Sequence, residues 1–258
     1  MPALRSSLSQ SERPFRIHGN CVAFDKVLAD LKKEAIDRVI CLGDAIQGGP
    51  QPAQVARRLR ELGCGVVMGN ADAWLLTGEE TGSEAISEER RRTMDAVRVW
   101  TLAQLSSTDR EFIQAFQPVI KADLDAGRKL LCFHGSPASF DEVILPDMTH
   151  EALFNILGAY DPQVLTGGHT HVQYIRRLGP DGRFFFNPGS VGFAYSHHQP
   201  EEGFQADPWA EYAVLTSKGE RLALEFRRGP FDAAELIAVY RSSVRPHSDL
   251  AIAQYSGR

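Results

Sequence analysis

The chain has 258 residues, a hydrophobic share of 43% and a formal net charge of −5. This length allows one large domain with a full core, and the acidic balance argues against a general nucleic-acid-binding protein, which carries a basic excess. No apolar run approaches the roughly 20 residues that cross a membrane, and the first residues have no apolar signal-peptide core. These features predict a cytoplasmic protein with no membrane partner.

The four cysteines are far apart in the sequence and form no CxxC pair; they are Cys21, Cys41, Cys64 and Cys132. Cysteines inside apolar runs behave as small core residues. We therefore interpret them as structural thiols in a reducing compartment.

Apolar runs alternate with helical patterns in the first part of the chain. Residues 21–36 and 50–63 have the periodicity of amphipathic helices. Residues 37–44 and 64–70 are short apolar runs that end in glycine turns, which is typical of buried strands. Strands that alternate with helices at this spacing predict a parallel sheet with crossover helices.

The middle of the chain is more helical. Residues 83–107 and 107–116 predict two helices, the second capped by Ser107 or Thr108. Residues 118–137 predict two strands joined at Asp125-Ala126-Gly127.

The last third of the chain is richer in strand patterns. Residues 162–171 predict a strand, residues 172–192 and 211–228 predict hairpins, and residues 231–243 predict a helix. No internal repeat or Gly/Ser/Pro-rich linker divides the chain, so we expect a single domain over 1–258. Residues 1–15 and 246–258 are expected to be loosely held ends.

Five predicted strand ends carry residue types that bind metals. They read "RIHGN", "CLGDAI", "VMGNADAW", "CFHGSP" and "LTGGHTH". In an open α/β sheet, ligands gather outside the carboxyl ends of the strands. The side chains expected to converge are those of His18, Asp44, Asn70, His134, His169 and His171.

The mixture of imidazole, carboxylate and amide donors favours borderline divalent metals. Asp44 could bridge two ions, and a pair of ions can clamp the attacking and leaving oxygens of a phosphoryl displacement. Each motif alone has an ordinary explanation, because Gly-Asp or Gly-Asn after a strand is often only a turn. All five motifs at strand ends, in this order, favour a metal site.

These motifs resemble those of the calcineurin-like metallophosphoesterases, in particular the small bacterial and archaeal phosphodiesterases. The family pattern is DxH, GD, GN, H and GHxH, and the likeness extends from about residue 16 to about residue 240. The resemblance implies an α/β fold, a four-layer α/β/β/α sandwich of two mixed sheets flanked by helices, with a dinuclear site between the sheets.

The same resemblance implies a role for each candidate ligand. Asp44 would bridge the ions, and His18 and His171 would hold the first ion. Asn70, His134 and His169 would hold the second. We expect one or two divalent ions per chain, with Mn²⁺ preferred and Fe, Zn or Ni as alternatives.

The chain departs from the family pattern at Arg16, which occupies the position of the first Asp. A guanidinium has no acceptor atom and stays protonated, so it cannot bind a cation. The first metal could bind weakly, Arg16 could swing away and leave its place to water, or Arg16 could bind substrate phosphate. Alternatively, residues 1–16 reflect a shifted reading frame, because one inserted base in an allowed back-translation restores Ser-Ala-Leu-Ser-Asp before Ile17.

A second departure is Ala71, where many members have a His that protonates the leaving group. Without this acid we expect a preference for aryl esters or phosphoanhydrides. Asp72 could support the Asn70 turn as a residue behind the ligands, or it could be an ordinary helix N-cap. His197 and His198 could face substrate or lie in a solvated loop.

The sequence therefore predicts a metal-dependent phosphoesterase that hydrolyses its substrate with a metal-activated water. We expect a phosphodiesterase or nucleotide pyrophosphatase acting on a small phosphoester or nucleotide. The alternative is a weakened or inactive protein of the same fold that serves as a docking module, which Arg16 and Ala71 favour. The sequence indicates no oligomeric state.

Overall fold

The structure is a computed structural model that describes residues 10–15, 17–79, 87–200 and 202–256. Its strands are β1 (Gln10–Phe15), β2 (Arg38–Cys41), β3 (Gly65–Val66), β4 (Ile120–Asp123), β5 (Lys129–Cys132), β6 (Val164–Thr166), β7 (Gln173–Arg177), β8 (Phe184–Pro188), β9 (Trp209–Lys218) and β10 (Arg221–Pro230). Its α-helices are α1 (Cys21–Leu31), α2 (Pro52–Leu62), α3 (Asn70–Thr77), α4 (Glu88–Gln104), α5 (Ser107–Gln114), α6 (His150–Leu157), α7 (Ala233–Ser242) and α8 (Ser248–Ala253).

The strands form two five-stranded mixed sheets. The first has the order β10-β9-β1-β2-β3, and the second has the order β4-β5-β6-β8-β7. In the first sheet, β1, β2 and β3 are parallel, and helices α1 and α2 make the crossovers between them. In the second sheet, β5, β6 and β8 are parallel and the two edge strands are antiparallel. The predicted mixed α/β class is confirmed.

Apolar residues pack on both faces of each sheet, as strands β5 and β2 show. In β5, Leu130 packs into the cluster that also contains Ile40 of the first sheet, whereas Leu131 packs against Leu153 of α6. In β2, Cys41 joins a third cluster, which contains residues of α1 and α2. Strand residues alternate between faces, so neighbouring residues reach different clusters. Three such clusters suit a four-layer sandwich, although that layer order stays a prediction.

Part of each segment expected to be loosely held forms a strand or a helix, while residues 1–9 and 257–258 lie outside the described residues. Gln10–Phe15 forms β1 between β2 and β9, at the centre of the first sheet. At the other end, Ser248–Ala253 is helical, and Tyr255 is buried with its hydroxyl donating to the Gly192 carbonyl oxygen at 3.3 Å. Tyr255 is one aromatic residue in a polar segment, so no hydrophobic periodicity in the sequence predicts that it packs against the rest of the fold.

Strand β1 is an unusual central strand because its sequence, QSERPF, is polar and contains a proline. Pro14 is in register with Ile40 of β2, whereas the pairing with β9 runs only from Gln10 to Glu12. Proline has no N–H group to donate to a second strand, so it is tolerated where only one neighbouring strand is paired. The shifted reading frame, which would place a more apolar segment here, stays a prediction.

Two helix boundaries also differ from prediction. Helix α5 is capped by Ser106, whose hydroxyl accepts a hydrogen bond from the Asp109 N–H at 3.1 Å, rather than by Ser107 or Thr108. Helix α1 ends at Leu31, where the next N–H groups form short-range bonds to Asp30 and Leu31 carbonyls. Within the described ranges, no helix combines the length and the apolar character that a bilayer span requires.

Candidate metal centre

The six predicted ligands lie on loops that follow five strands. His18 follows β1, Asp44 follows β2, and Asn70 begins α3 just after β3. His134 follows β5, and the pair His169 and His171 follows β6. The carboxyl ends of parallel strands lie at one edge of each sheet, and the two sheets face each other across an apolar cluster. This topology brings residues from distant parts of the chain together.

The structure arranges these side chains as two groups that share one carboxylate. In each group, one ligand atom from every residue lies within 4.8 Å of the ligand atoms of the others. The first group contains His18, Asp44 and His171, and the second contains Asp44, His134 and His169. The Asn70 Oδ1 atom is 3.0 Å from the His134 Nε2 atom, which adds the amide to the second group. All six residues are therefore brought together, and their individual ligand roles stay predictions.

The hydrogen bonds of His134 show that the second group suits a cation. Its Nδ1 atom lies 2.6 Å from the Leu42 carbonyl oxygen, which can only accept, so Nδ1 carries the proton of the neutral ring. The Nε2 lone pair then faces Asp44 Oδ2 at 3.2 Å, Asn70 Oδ1 at 3.0 Å and His169 Nδ1 at 3.3 Å. Converging lone pairs repel one another, and a metal ion among them satisfies all four atoms at once. The donor set therefore fits a divalent ion.

His171 is oriented in the same way in the first group. Its Nδ1 atom lies 2.5 Å from the Phe193 carbonyl oxygen, so that Nε2 carries the lone pair that a metal ion needs. Its ring stacks on His18 with a centroid separation of 4.6 Å. Metal-binding imidazoles commonly donate their second N–H to a carbonyl oxygen, which sets the tautomer. The first group thus has two imidazoles, of which His171 is oriented by a carbonyl oxygen, and one carboxylate.

Backbone strain is concentrated in these residues. His18, Asp44, His169 and His171 have φ angles of 51°, 47°, 44° and 59°, in the left-handed region that non-glycine residues seldom adopt. Each such residue costs about 1 kcal/mol or more, and strain of this kind persists mainly at functional sites. Hydrogen bonds between the loops hold the strained backbone, among them His18 N–H to the Asp44 carbonyl oxygen at 2.8 Å.

Asp72 supports the turn that carries Asp44. Its carboxylate is fully buried and accepts hydrogen bonds from the N–H groups of Ala45 and Ile46 at 3.1 Å. Burial, and then the charge of Asp44, raise the pKa of Asp72 to about 7. The N-cap interpretation is wrong, because α3 begins at Asn70 with Gly69 as its cap. The carboxylate contacts the Asp44 turn rather than the Asn70 side chain.

Gly43 lets two ligand loops approach closely. Its φ is 87°, and a Cβ atom at this position would lie 2.6 Å from the Gly69 nitrogen and 2.8 Å from His134 Nδ1. We expect Gly43→Ala to lower the free energy of unfolding by about 3 kcal/mol, because the strain and the overlap cannot be relieved without moving His134. Urea unfolding of the purified variant measures this change.

Gly63→Ala is the matched control. Gly63 also has a positive φ, 63°, but a Cβ atom there has nothing within 4 Å. We expect a loss of about 1 kcal/mol from the backbone conformation alone. Equal losses in the two variants would show that the close approach at Gly43 has no energetic role.

The predicted substrate-binding residues have different outcomes. His197 lies at the edge of the site, where its Nε2 atom is 2.6 Å from the Thr170 carbonyl oxygen. Thr170 separates His169 and His171 in the sequence. His198 is exposed, its backbone N–H bonds to Ser196 Oγ at 3.2 Å, and the structure does not bring it to the ligands. Arg16 lies outside the described residues.

Two further residues near the site were not predicted. Arg245 and His247 line a cavity of about 390 Å³ that also contains His18 and His171 in its wall. Their sequence context, "SSVRPHSD", carries no metal or phosphate motif. Only the fold places them beside His18, which is more than two hundred positions earlier in the chain.

Comparison with known proteins agrees with this geometry. Residues 17–207 match the sequence profile of the calcineurin-like phosphoesterase superfamily domain. An uncharacterized protein of Methanocaldococcus jannaschii is 26% identical over 223 residues, which cover 81% of this chain and 83% of that protein.

Two solved structures have the same fold. A metallophosphoesterase from Sphaerobacter thermophilus has a TM-score of 0.68 and 22% identity, with 95% of this chain and 98% of that chain covered. A hypothetical protein from Pyrococcus horikoshii OT3 has a TM-score of 0.75 and 17% identity, with 96% and 99% covered.

Proposed function

Because the chain belongs to the calcineurin-like phosphoesterase superfamily, we propose that it is a phosphodiesterase or nucleotide pyrophosphatase that uses divalent metal ions. Its substrate is a small phosphoester or a nucleotide. The observation that most supports this proposal is the position of Asp44, whose carboxylate belongs to both groups of candidate ligands. A carboxylate shared in this way would let the two groups hold a pair of ions, which would stabilise both the attacking and the leaving oxygen of a phosphoryl displacement.

The residues of the chain orient the groups that hold the ions. When bound, divalent ions neutralise phosphate charge and lower the pKa of water, so that hydroxide can attack phosphorus at neutral pH. Asp44 spans the two groups, and Asp72 holds the Asp44 turn through two backbone N–H groups. The carbonyl oxygens of Leu42 and Phe193 hold the rings of His134 and His171 in the ligating tautomer. This support lowers the reorganisation needed when substrate binds.

We propose Mn²⁺ as the native ion, with Fe, Zn or Ni as alternatives. The second group offers two imidazoles, one carboxylate and one amide oxygen, from Asp44, Asn70, His134 and His169. The first group offers two imidazoles and the shared carboxylate. Mixed nitrogen and oxygen donors suit these borderline ions. The more complete second group is expected to bind its ion more tightly.

The leaving group is expected to be a weak base. Position 71 is alanine, whose N–H donates to Asp44 Oδ1 at 2.9 Å and whose side chain cannot donate a proton. A positioned general acid commonly contributes 10²–10⁴-fold to such reactions. Aryl esters and phosphoanhydrides, whose leaving groups depart without protonation, are therefore the preferred substrates.

The proposal is tested by assaying the full-length protein with bis-p-nitrophenyl phosphate in the presence of Mn²⁺, Fe²⁺, Zn²⁺ or Ni²⁺. We expect turnover with Mn²⁺ that is lost on chelation and regained on adding the ion. The chelated protein without added metal is the control. Absence of turnover with all four ions would contradict the proposal.

A docking module of the same fold is the second candidate, and Ala71 and Arg16 favour it. The strained backbone that holds the ligating side chains together argues against it, because a docking surface does not require those side chains to converge. The strained residues are His18, Asp44, His169 and His171. The metal content of the purified protein separates the candidates. About two equivalents favours a dinuclear enzyme, about one favours a specialised site, and none favours docking.

A further inference from the structure

The turn between α7 and α8 closes one side of the candidate metal centre. A cavity of about 390 Å³ is lined by His18 and His171 of the first ligand group and by Tyr240, Arg245 and His247 of the C-terminal part of the chain. Cavities of this size hold small molecules. A ligand in it would contact both the first ligand group and the C-terminal part of the chain.

The cavity wall is suited to an anion. The chain as a whole has a net charge of −5, yet among the described residues that line this cavity there is no Asp or Glu. The charged or titratable groups in the wall are Arg245, Tyr240 and three histidines. A positively charged lining in an otherwise acidic protein attracts an anionic ligand to this cavity.

Arg245 is the fixed positive charge of this wall. Its guanidinium lies 5.5 Å from the centre of the Tyr240 ring, and its Nη1 donates to the Pro246 carbonyl oxygen at 3.0 Å. Its Nε atom is buried and has no hydrogen-bond partner within the described chain, nor does any described carboxylate pair with it. A partly buried cation without an anion costs desolvation free energy, which a bound phosphate offsets.

The backbone around Arg245 is strained in a way that fixes its position. Val244 and His247 have φ angles of 49° and 56°, and a β-branched residue is a clear outlier in this region. Ser243 Oγ accepts from the Arg245 N–H at 3.3 Å, and Ser248 Oγ donates to the Arg245 carbonyl oxygen at 2.8 Å. Strain that local hydrogen bonds maintain is typical of ligand-binding positions.

We propose that Arg245 binds a second phosphate group next to the one undergoing hydrolysis, so that the preferred substrate is a phosphoanhydride such as the diphosphate part of a nucleotide. This inference rests on the proposed function and narrows it. A guanidinium binds phosphate oxygens in a bidentate manner. His247 lies at the exposed end of the same wall and offers a further donor.

The chemistry is consistent with the absence of an acid at position 71. A water oxygen bonds to one phosphorus, the bridging P–O bond breaks, and the bridging oxygen leaves with the electron pair as part of the second phosphate. The protons of the water pass to solvent. Arg245 stabilises the negative charge that develops on the leaving phosphate, so no proton has to be supplied to it.

Kinetics of Arg245→Gln test the inference. With Mn²⁺ present, we expect kcat/KM for ADP to fall by about 100-fold, because a charge-assisted bidentate contact is lost. The kcat/KM for bis-p-nitrophenyl phosphate, which has one phosphate group, should fall at least about 10-fold less than the value for ADP. Arg241→Gln, an equal charge change on the exposed side of α7, should alter neither value. Equal losses on both substrates in Arg245→Gln would overturn the inference.

A binding measurement keeps the inference testable if the protein hydrolyses neither substrate. Methylenediphosphonate and methylphosphonate are stable analogues with two groups and one group, and titration calorimetry in the same Mn²⁺ buffer gives both affinities. We expect Arg245→Gln to reduce the preference for the diphosphonate by about 10-fold, and Arg245→Lys to retain part of it. An unchanged preference would contradict the role of Arg245, whereas a changed preference without turnover would contradict only the proposed function.

Discussion

Asp44→Asn is expected to lower kcat/KM by at least about 10³-fold and to remove metal from both ligand groups, because ion-mediated charge stabilisation contributes several kcal/mol. The substitution keeps the shape of the side chain, including an oxygen that can accept from the Ala71 N–H. It removes the negative charge that both groups share. Metal analysis by mass spectrometry and steady-state kinetics on bis-p-nitrophenyl phosphate measure the two effects.

The control is Asp25→Asn, an identical chemical change at an exposed ion pair with Arg58. Surface ion pairs contribute about 0–1 kcal/mol, so this variant should fold and turn over as the parent protein does. Asp44→Asn should also fold, since asparagine has nearly the same shape and the substitution removes a negative charge near the buried Asp72 carboxylate. A variant that lacks Asp44 yet keeps its metal and its turnover would contradict the shared-carboxylate site.

Arg16→Asp is expected to increase activity. Arg16 precedes His18 by two residues, at the position where the family pattern has its first carboxylate. The change removes a cation and, by the family pattern, would add a ligand to the first group. We expect bound metal to rise to about two equivalents and kcat/KM to rise by about 10²-fold, because a second ion stabilises both reacting oxygens.

Arg16→Ala separates the two parts of this effect. It removes the positive charge without adding a ligand, so it should give a smaller rise than Arg16→Asp. Equal values for both variants would mean that repulsion alone weakens the first group. No rise in either would show that Arg16 does not affect metal binding. Sequencing the gene across the codons for residues 10–16 tests the shifted frame independently, since an unbroken frame that encodes Arg16 removes that hypothesis.

The sequence predicted the mixed α/β class, because five of the six candidate ligands lie near the end of an apolar run that forms a strand. His18 follows the polar strand β1, and only its His-Gly-Asn motif placed it with the others. In parallel strands, position in the strand determines position in space, so Asp44 and His134 could be placed together without knowledge of the loops. The glycines beside them indicated the tight turns but not the positive φ angles of the ligands themselves.

What could not be predicted depends on contacts without a local signal. Arg245 lies 227 positions after His18, and only the packing of α7 and α8 on the first sheet brings both into one cavity. His197 and His198 are neighbours in sequence, and loop geometry alone decides that the first meets Thr170. The polar sequence of β1 argued against a central strand, and pairing with β2 and β9 overrides that local preference.

The most direct test of the metal centre is anomalous diffraction at the manganese edge from crystals of the full-length protein grown with Mn²⁺. We predict a peak within about 2.1 Å of ligand atoms of Asp44, Asn70, His134 and His169, with a second, weaker peak beside His18 and His171. A protein saturated with Mn²⁺ that shows no peak among these side chains, or only peaks at other sites, would contradict the account.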